Sequence, residues 1–172
     1  YATDKYAMEL YAKTAYKLYQ LSSIGLRFFN VYGQRQDPTS SYSGVISTFV
    51  DRLLRRESIT INGGYQTRDF IYVKDVVDII FKSIVIVSNT ALCEQINVLT
   101  GQSVTIDELA NMLIKKIGVD ADKKYQELPL GDPEQSNGTT KKMVSLLKAD
   151  LRDMVPIDSG LSETVNFMRG QA

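Results

Sequence analysis

Ile24-Gly25-Leu26-Arg27-Phe28-Phe29-Asn30-Val31-Tyr32 is the stretch that decides the fold. It is apolar almost throughout, carries one arginine, and shows no polar alternation. That pattern predicts a strand buried in a parallel sheet rather than the half-wet strand of a hairpin. Upstream, residues 2–21 read as one helix, with Tyr6, Met8, Leu10, Tyr11, Ala15, Leu18 and Tyr19 forming a broad apolar face before Ser22-Ser23 ends it. Downstream, a loop holding Pro38 runs to Gly44, helical spacing returns over 45–56, and Ile59 to Asn62 is a short strand before the Gly63-Gly64 turn.

Arg68 to Val73 is the next extended segment, and Asp75 is placed to cap a helix through Val87. Gln95 to Leu99 is a further strand. Thr105-Ile106-Asp107-Glu108 is a capping box opening a helix that Gly118 stops. Two short helices, 139–147 and 161–168, complete the chain. Strands alternating with helices define an α/β class.

Composition narrows the chemistry. The chain has 172 residues, enough for a real core, and 20 basic side chains balance 20 acidic ones. With no net charge, nothing global argues for nucleic acid or an anionic membrane as partner. There is no histidine, which excludes Ser-His-Asp and Cys-His catalysis and any histidine-ligated metal within this sequence. The one cysteine, Cys93, supports neither a thiolate metal cluster nor an internal disulfide, so no metal site is expected. No apolar run is long enough to span a membrane and the start carries no signal-peptide pattern, so a cytoplasmic setting is expected. Tyrosine, lysine and carboxylates remain for moving protons.

The sequence begins Tyr1-Ala2-Thr3-Asp4-Lys5. On a helix, a four-residue spacing puts Tyr1 and Lys5 on one face, and an ammonium beside a phenol favours the phenolate. With ten tyrosines in the chain, such a pair is weak evidence alone. Two further blocks follow it, Leu26-Arg27-Phe28-Phe29-Asn30-Val31-Tyr32-Gly33 and Thr67-Arg68-Asp69-Phe70-Ile71-Tyr72-Val73-Lys74-Asp75-Val76-Val77. In this order and at these distances the three resemble the extended short-chain dehydrogenase/reductase family, in its nucleotide-sugar epimerase branch of UDP-glucose 4-epimerase-like enzymes. The resemblance runs from Tyr1 to about Phe167.

The resemblance implies the C-terminal part of a Rossmann-type parallel sheet plus a small α/β substrate-binding subdomain. It implies NAD as cofactor, a UDP-sugar as substrate, and a homodimer formed through the first helix. Tyr1 would be the catalytic acid/base, and Lys5 would hold its phenolate and bond the nicotinamide ribose. Phe28 matches a position near the nicotinamide, although the bulk of a phenylalanine inside a strand is expected in the core. Asn30, at a strand end, would bind substrate; its bland reading is an amide satisfying a loop backbone. Arg68 would clamp the diphosphate, and Asp69 would orient a neighbour. Val45 and Ile46 begin a helix from which relatives contact the nucleotide, partly through backbone amides.

Two departures from the family pattern bear on the nucleotide. Relatives read I-x-G-D-G-x-x-T-R-D, whereas Ile61-Asn62-Gly63-Gly64-Tyr65-Gln66-Thr67-Arg68-Asp69 is one residue shorter, which tightens the turn and brings Tyr65 towards the nucleotide. Pro129 stands where many relatives carry a second phosphate-binding arginine before Gly131-Asp132. No glycine-rich turn able to cradle a dinucleotide pyrophosphate occurs anywhere in the chain. The sequence therefore reads as a C-terminal half, 1–172, without its NAD-binding half, and the 24–32 strand is expected to have an open edge and an uncovered apolar face. The alternatives are a nucleotide-sugar 4,6-dehydratase, or a non-catalytic sugar-nucleotide binding or oligomerisation module.

Overall fold

The run from Ile24 to Tyr32 is broken at Phe29 in the computed structural model, which describes residues 2–40 and 43–170. The order is α1 (Ala2–Tyr19), β1 (Ser23–Phe28), β2 (Asn30–Tyr32), α2 (Val45–Leu54), β3 (Ile59–Asn62), β4 (Thr67–Tyr72), α3 (Val73–Asn89), β5 (Cys93–Val98), β6 (Ser103–Thr105), α4 (Ile106–Ile117), β7 (Lys123–Gln126), α5 (Lys141–Leu147) and α6 (Ile157–Arg169). The class is α/β with parallel pairing, as expected.

β1 pairs with β5 in parallel, from Ser23 opposite Cys93 to Phe28 opposite Val98. β2 pairs in parallel with β4, from Asn30 opposite Phe70 to Tyr32 opposite Tyr72. The chain thus passes from one sheet to the next across a single residue. Phe29 N–H still donates to the Val98 carbonyl at 3.0 Å, and its ring lies so close over Gly138 that a Cβ there would come within 2.6 Å. Apolar continuity could not reveal this break, because both halves stay extended and only the partner strand changes.

The expectation of a buried strand holds for Tyr32 in β2 but fails for β1, none of whose residues is buried. Among the described strands β1 has β5 on one side and none on the other, which leaves the open edge. α1 packs on β1 and β5, and the arginine inside the apolar run is explained by it: Arg27 donates two hydrogen bonds of 2.6 Å to Glu9. α1 buries none of its described residues, so the broad apolar face lies open, with Tyr6, Met8, Leu10, Tyr11, Leu18 and Tyr19 exposed.

The larger core lies elsewhere. Ile46, Phe49, Val50 and Leu53 of α2, Ile59 and Ile61 of β3, Leu109 and Leu113 of α4, and Leu161 and Val165 of α6 close on one another. A second core joins Ile79 of α3, Ile96 and Val98 of β5, and Met143 and Leu147 of α5. β4 serves both, sending Phe70 and Tyr72 to the first and Ile71 to the second, the two-residue alternation of a strand buried on both faces.

α4 begins as its sequence requires, with Glu108 N–H donating to Thr105 Oγ1 at 3.1 Å and Thr105 N–H donating to Glu108 Oε2 at 2.8 Å. Gly118 caps it at φ +76°. Asp75 is not a cap: Tyr72 holds that position, and the Asp75 carboxylate instead accepts from Val155 N–H at 3.1 Å, tying α3 to the segment before α6. β6, antiparallel to β4, and β7, parallel to β3, were not expected, since Ser103-Val104-Thr105 and Lys123-Lys124-Tyr125-Gln126 are short, largely polar edge strands. No described helix is long and apolar enough to cross a membrane.

Candidate functional site

β4 carries the most informative side chains. Asp69 is buried, and its carboxylate accepts hydrogen bonds from Thr100 N–H and Thr100 Oγ1 at 2.9 Å each and from Gly101 N–H at 2.7 Å. It fixes the turn after β5, the orienting role expected of it. Arg68 faces the other way, with a side chain only 12% exposed. Its guanidinium donates to the carbonyls of Thr67 at 2.9 Å and Pro133 at 2.7 Å, and to Asp132 Oδ1 at 3.3 Å. The 132–136 segment is held against the same strand start: Thr67 N–H donates to the Glu134 carbonyl and Ser136 N–H to the Thr67 carbonyl.

Arg68 opens onto a cleft of about 210 Å³ lined by Val45, Phe49, Thr60, Asn62, Gln66, Ile106 and Asp132. The fold builds it from α2, β3, the turn before β4, the start of α4 and the segment after β7. Val45 and Arg68, singled out from separate parts of the sequence, meet here. Phe49 and Ile106 supply an apolar floor drawn from the larger core. Gln66 is buried and shapes the turn, accepting from Gly64 N–H and donating to the Asn62 carbonyl, both at 2.6 Å. Gly63 and Gly64 at φ +72° and +102° make the tight turn that the missing residue demands.

The other candidates separate. Ile46 is buried in the core beside Val45 and does not line the cleft. Tyr65 is exposed at the turn and does not line the cleft. Asn30 opens β2, and its Nδ2 donates to the Asp69 carbonyl at 2.9 Å, so its amide nitrogen takes the bland role of bonding backbone. Phe28 ends β1 and is 44% exposed, so its bulk is not in the core as expected. Lys5 lies in the first turns of α1. Tyr1 lies outside the described residues.

Sequence reading missed Thr60, Asn62, Gln66, Ile106 and Asp132. Thr60 and Asn62 were legible in principle, because two polar residues at strand spacing on one face of β3 oppose the buried Ile59 and Ile61. Asp132 was noticed only as part of a Gly-Asp pair and not as the partner of Arg68. Among the described residues no group of acidic or cysteine side chains is arranged to hold a metal ion.

This α/β scaffold, with its parallel strand pairs and open strand edge, is of the Rossmann type. Residues 1–98 match the NAD dependent epimerase/dehydratase family, and the chain belongs to it. It is 30% identical over 173 residues to the UDP-glucose 4-epimerase of Mycolicibacterium smegmatis, a match covering 100% of this chain and 53% of that protein. Among solved structures, the UDP-N-acetylglucosamine 4-epimerase of Methanobrevibacter ruminantium M1, in complex with UDP-N-acetylmuramic acid, aligns with a TM-score of 0.88 at 34% identity, over 100% of this chain and 54% of that one. The Thermus thermophilus UDP-glucose 4-epimerase complex with NAD aligns with a TM-score of 0.84 at 29% identity, over 100% and 54%. The chain therefore spans about half the length of the relatives it matches.

Proposed function

We propose that residues 1–172 are the C-terminal half of an NAD-dependent nucleotide-sugar epimerase that inverts C4 of a UDP-sugar through a 4-keto intermediate. The observation that carries this reading is the convergence of Val45 and the half-buried Arg68 on one cleft. A guanidinium sheltered from water suits a diphosphate, which it grips through paired N–H donors. Outside that cleft, the Asn30 amide oxygen, the Ile46 backbone and Tyr65 would contribute further substrate contacts. NAD, when bound, supplies a hydride acceptor that returns the hydride in the same turnover. Lys5 on α1 and the exposed Phe28 at the end of β1 would hold its nicotinamide end. The chain holds no glycine-rich turn for its pyrophosphate.

Tyr1 takes the proton from the sugar 4-hydroxyl, and Lys5 favours the phenolate that does so. In an enzyme completed by its NAD-binding half, Tyr1→Phe is expected to lower turnover by about 10²- to 10⁴-fold while leaving UDP affinity unchanged. Near-normal turnover removes Tyr1 from the chemistry. The cytoplasm is the proposed setting. The open apolar face of α1 supports a homodimer through that helix, read by sedimentation.

A dehydratase begins with the same proton abstraction, and a 4-keto-6-deoxy product would select it over the epimerase. The other reading is a non-catalytic sugar-nucleotide binding or oligomerisation fragment that uses the Arg68 cleft alone. That reading expects UDP to bind the chain by itself, without turnover.

A further inference from the structure

Arg27 and Glu9 meet as two flat groups. Arg27 Nε donates to Glu9 Oε1 and Arg27 Nη2 to Glu9 Oε2, each at 2.6 Å. Each carboxylate oxygen takes one prong of the guanidinium fork, a geometry that fixes direction as well as distance. Glu9 is the more sheltered partner, with a side chain 15% exposed against 53% for Arg27. A pair this open to water adds little to stability. What it can set is placement.

α1 is followed by β1 after the turn at 20–22 and packs on it, so the two run in opposite directions. At the rises of a helix and a strand, Glu9 stands about 15 Å from the end of α1 and Arg27 about 13 Å from the start of β1. The two residues are therefore level, and a slide of one helical turn, about 5 Å, would part them. Lys5 lies one turn N-terminal to Glu9 on the same face, along which Glu9, Ala12 and Tyr16 are half-buried. The direction of α1 carries Lys5 past Arg27, to the C-terminal end of β1 that Phe28 closes, where ligands bind in parallel sheets. Tyr1 continues the same four-residue spacing in the sequence. Apolar packing does not set this register. None of the described residues of α1 is buried, and tyrosines and leucines spread around a helix tolerate sliding and rotation in a way that a two-pronged bond does not.

We infer that Glu9 and Arg27 are positioning residues for the proton-transfer pair. Their clamp sets the height and rotation of α1 on β1, and so aims Lys5 and Tyr1 at the end of the strand where Phe28 stands. Both act through α1 and not on the sugar. The inference rests on the reading of Tyr1 as acid/base and Lys5 as its partner.

The test uses the enzyme completed by its NAD-binding half, with turnover counted per bound NAD so that unfolded protein does not enter. Glu9→Gln should lower kcat about ten- to a hundredfold, the scale of a slightly misplaced catalytic group, with KM for the UDP-sugar and calorimetric affinity for UDP unchanged. Arg27→Gln should do the same, and the double variant should be no worse than either single one, because residues that act as a unit are not additive. In hydrogen exchange, the first turns of α1 should lose protection in these variants while α4 keeps its own. A pair that only supported the structure would lower the unfolding temperature and the share of protein holding NAD, and leave kcat per bound NAD as it was. An unchanged kcat, a fall in kcat matched by lost UDP affinity, or losses that multiply in the double variant each overturn the inference. Should Glu9→Gln fail to fold, Arg27→Lys keeps the charge, loses the fork, and carries the same split between kcat and KM. Tyr1→Phe separates the two levels. If it abolishes turnover while the clamp variants keep theirs, only the clamp falls. If Tyr1→Phe turns over normally, the acid/base reading and this inference fall together.

Discussion

α1 and α4 are both written in apolar residues at helical spacing, yet α1 buries none of its described residues whereas α4 buries Ile106, Leu109, Ala110, Leu113 and Ile117. The difference is not one of hydrophobic content. α4 concentrates its apolar side chains in one stripe, is capped at both ends, and lies between α2 and α6, which complete its surroundings. α1 spreads tyrosines and leucines around its circumference and leans on the half-open β1–β5 pair. One half of the molecule closes on itself; the other leaves apolar surface exposed. The contrast matches a chain that spans about half of its relatives.

The comparison can be broken most directly by truncating one leucine on each helix. Leu113→Ala should cost about 2–5 kcal/mol in urea unfolding, because a fully buried side chain leaves a cavity. Leu10→Ala in α1 should stay within about 0.5 kcal/mol, as for other exposed positions. Equal costs would show that α1 is packed in solution, by a second copy or by another segment.

Gly160→Ala probes where α6 closes the subdomain. A Cβ there would stand 2.2 Å from the Tyr32 hydroxyl, so one of two buried elements must shift, at about 1–3 kcal/mol. Smaller is Thr105→Ala, which removes the cap of α4 and should cost about 1 kcal/mol, read from the same urea curves.

The smallest expected effect concerns the tie between α1 and β1. Hydrogen bonds from Arg27 hold the Glu9 carboxyl below its ordinary range. A depressed carboxyl contributes stability that is full above its unfolded value and lost as pH falls through the folded one. Protection of the α1 amides, corrected for the intrinsic pH dependence of exchange, should therefore fall on acidification below the usual glutamate range, and Glu9→Gln should flatten that response.

The elements of the subdomain were legible because their signals are local. The capping box at Thr105 and Glu108, the stop at Gly118, and β3 from Ile59 to Asn62 need no knowledge of distant partners. The break at Phe29 was not legible, since strand identity there depends on which neighbour supplies the hydrogen bonds. Asp75 was misread for a similar reason: a carboxylate near a helix start suits a cap, but Val155, far along the chain, claims it. At the site, Arg68 and Val45 stood out as residue types in recognisable blocks. Asn62, Gln66 and Asp132 did not, because only the tight turn and the strap along β4 bring them to the same cleft.

Tyr32 has a consequence for how the molecule is made. Its hydroxyl donates to the Ile157 carbonyl across 125 residues of sequence, and its ring packs beneath Gly160. The larger core also needs Leu161 and Val165 from the same distant helix. During synthesis, β2, α2, β3, β4 and α4 emerge long before α6 does, and their shared apolar surface has no lid until the ribosome has delivered it. The newborn chain therefore waits with its central residues wet, and the arrival of α6 sets the moment at which the core behind Phe49 and Ile106 is closed.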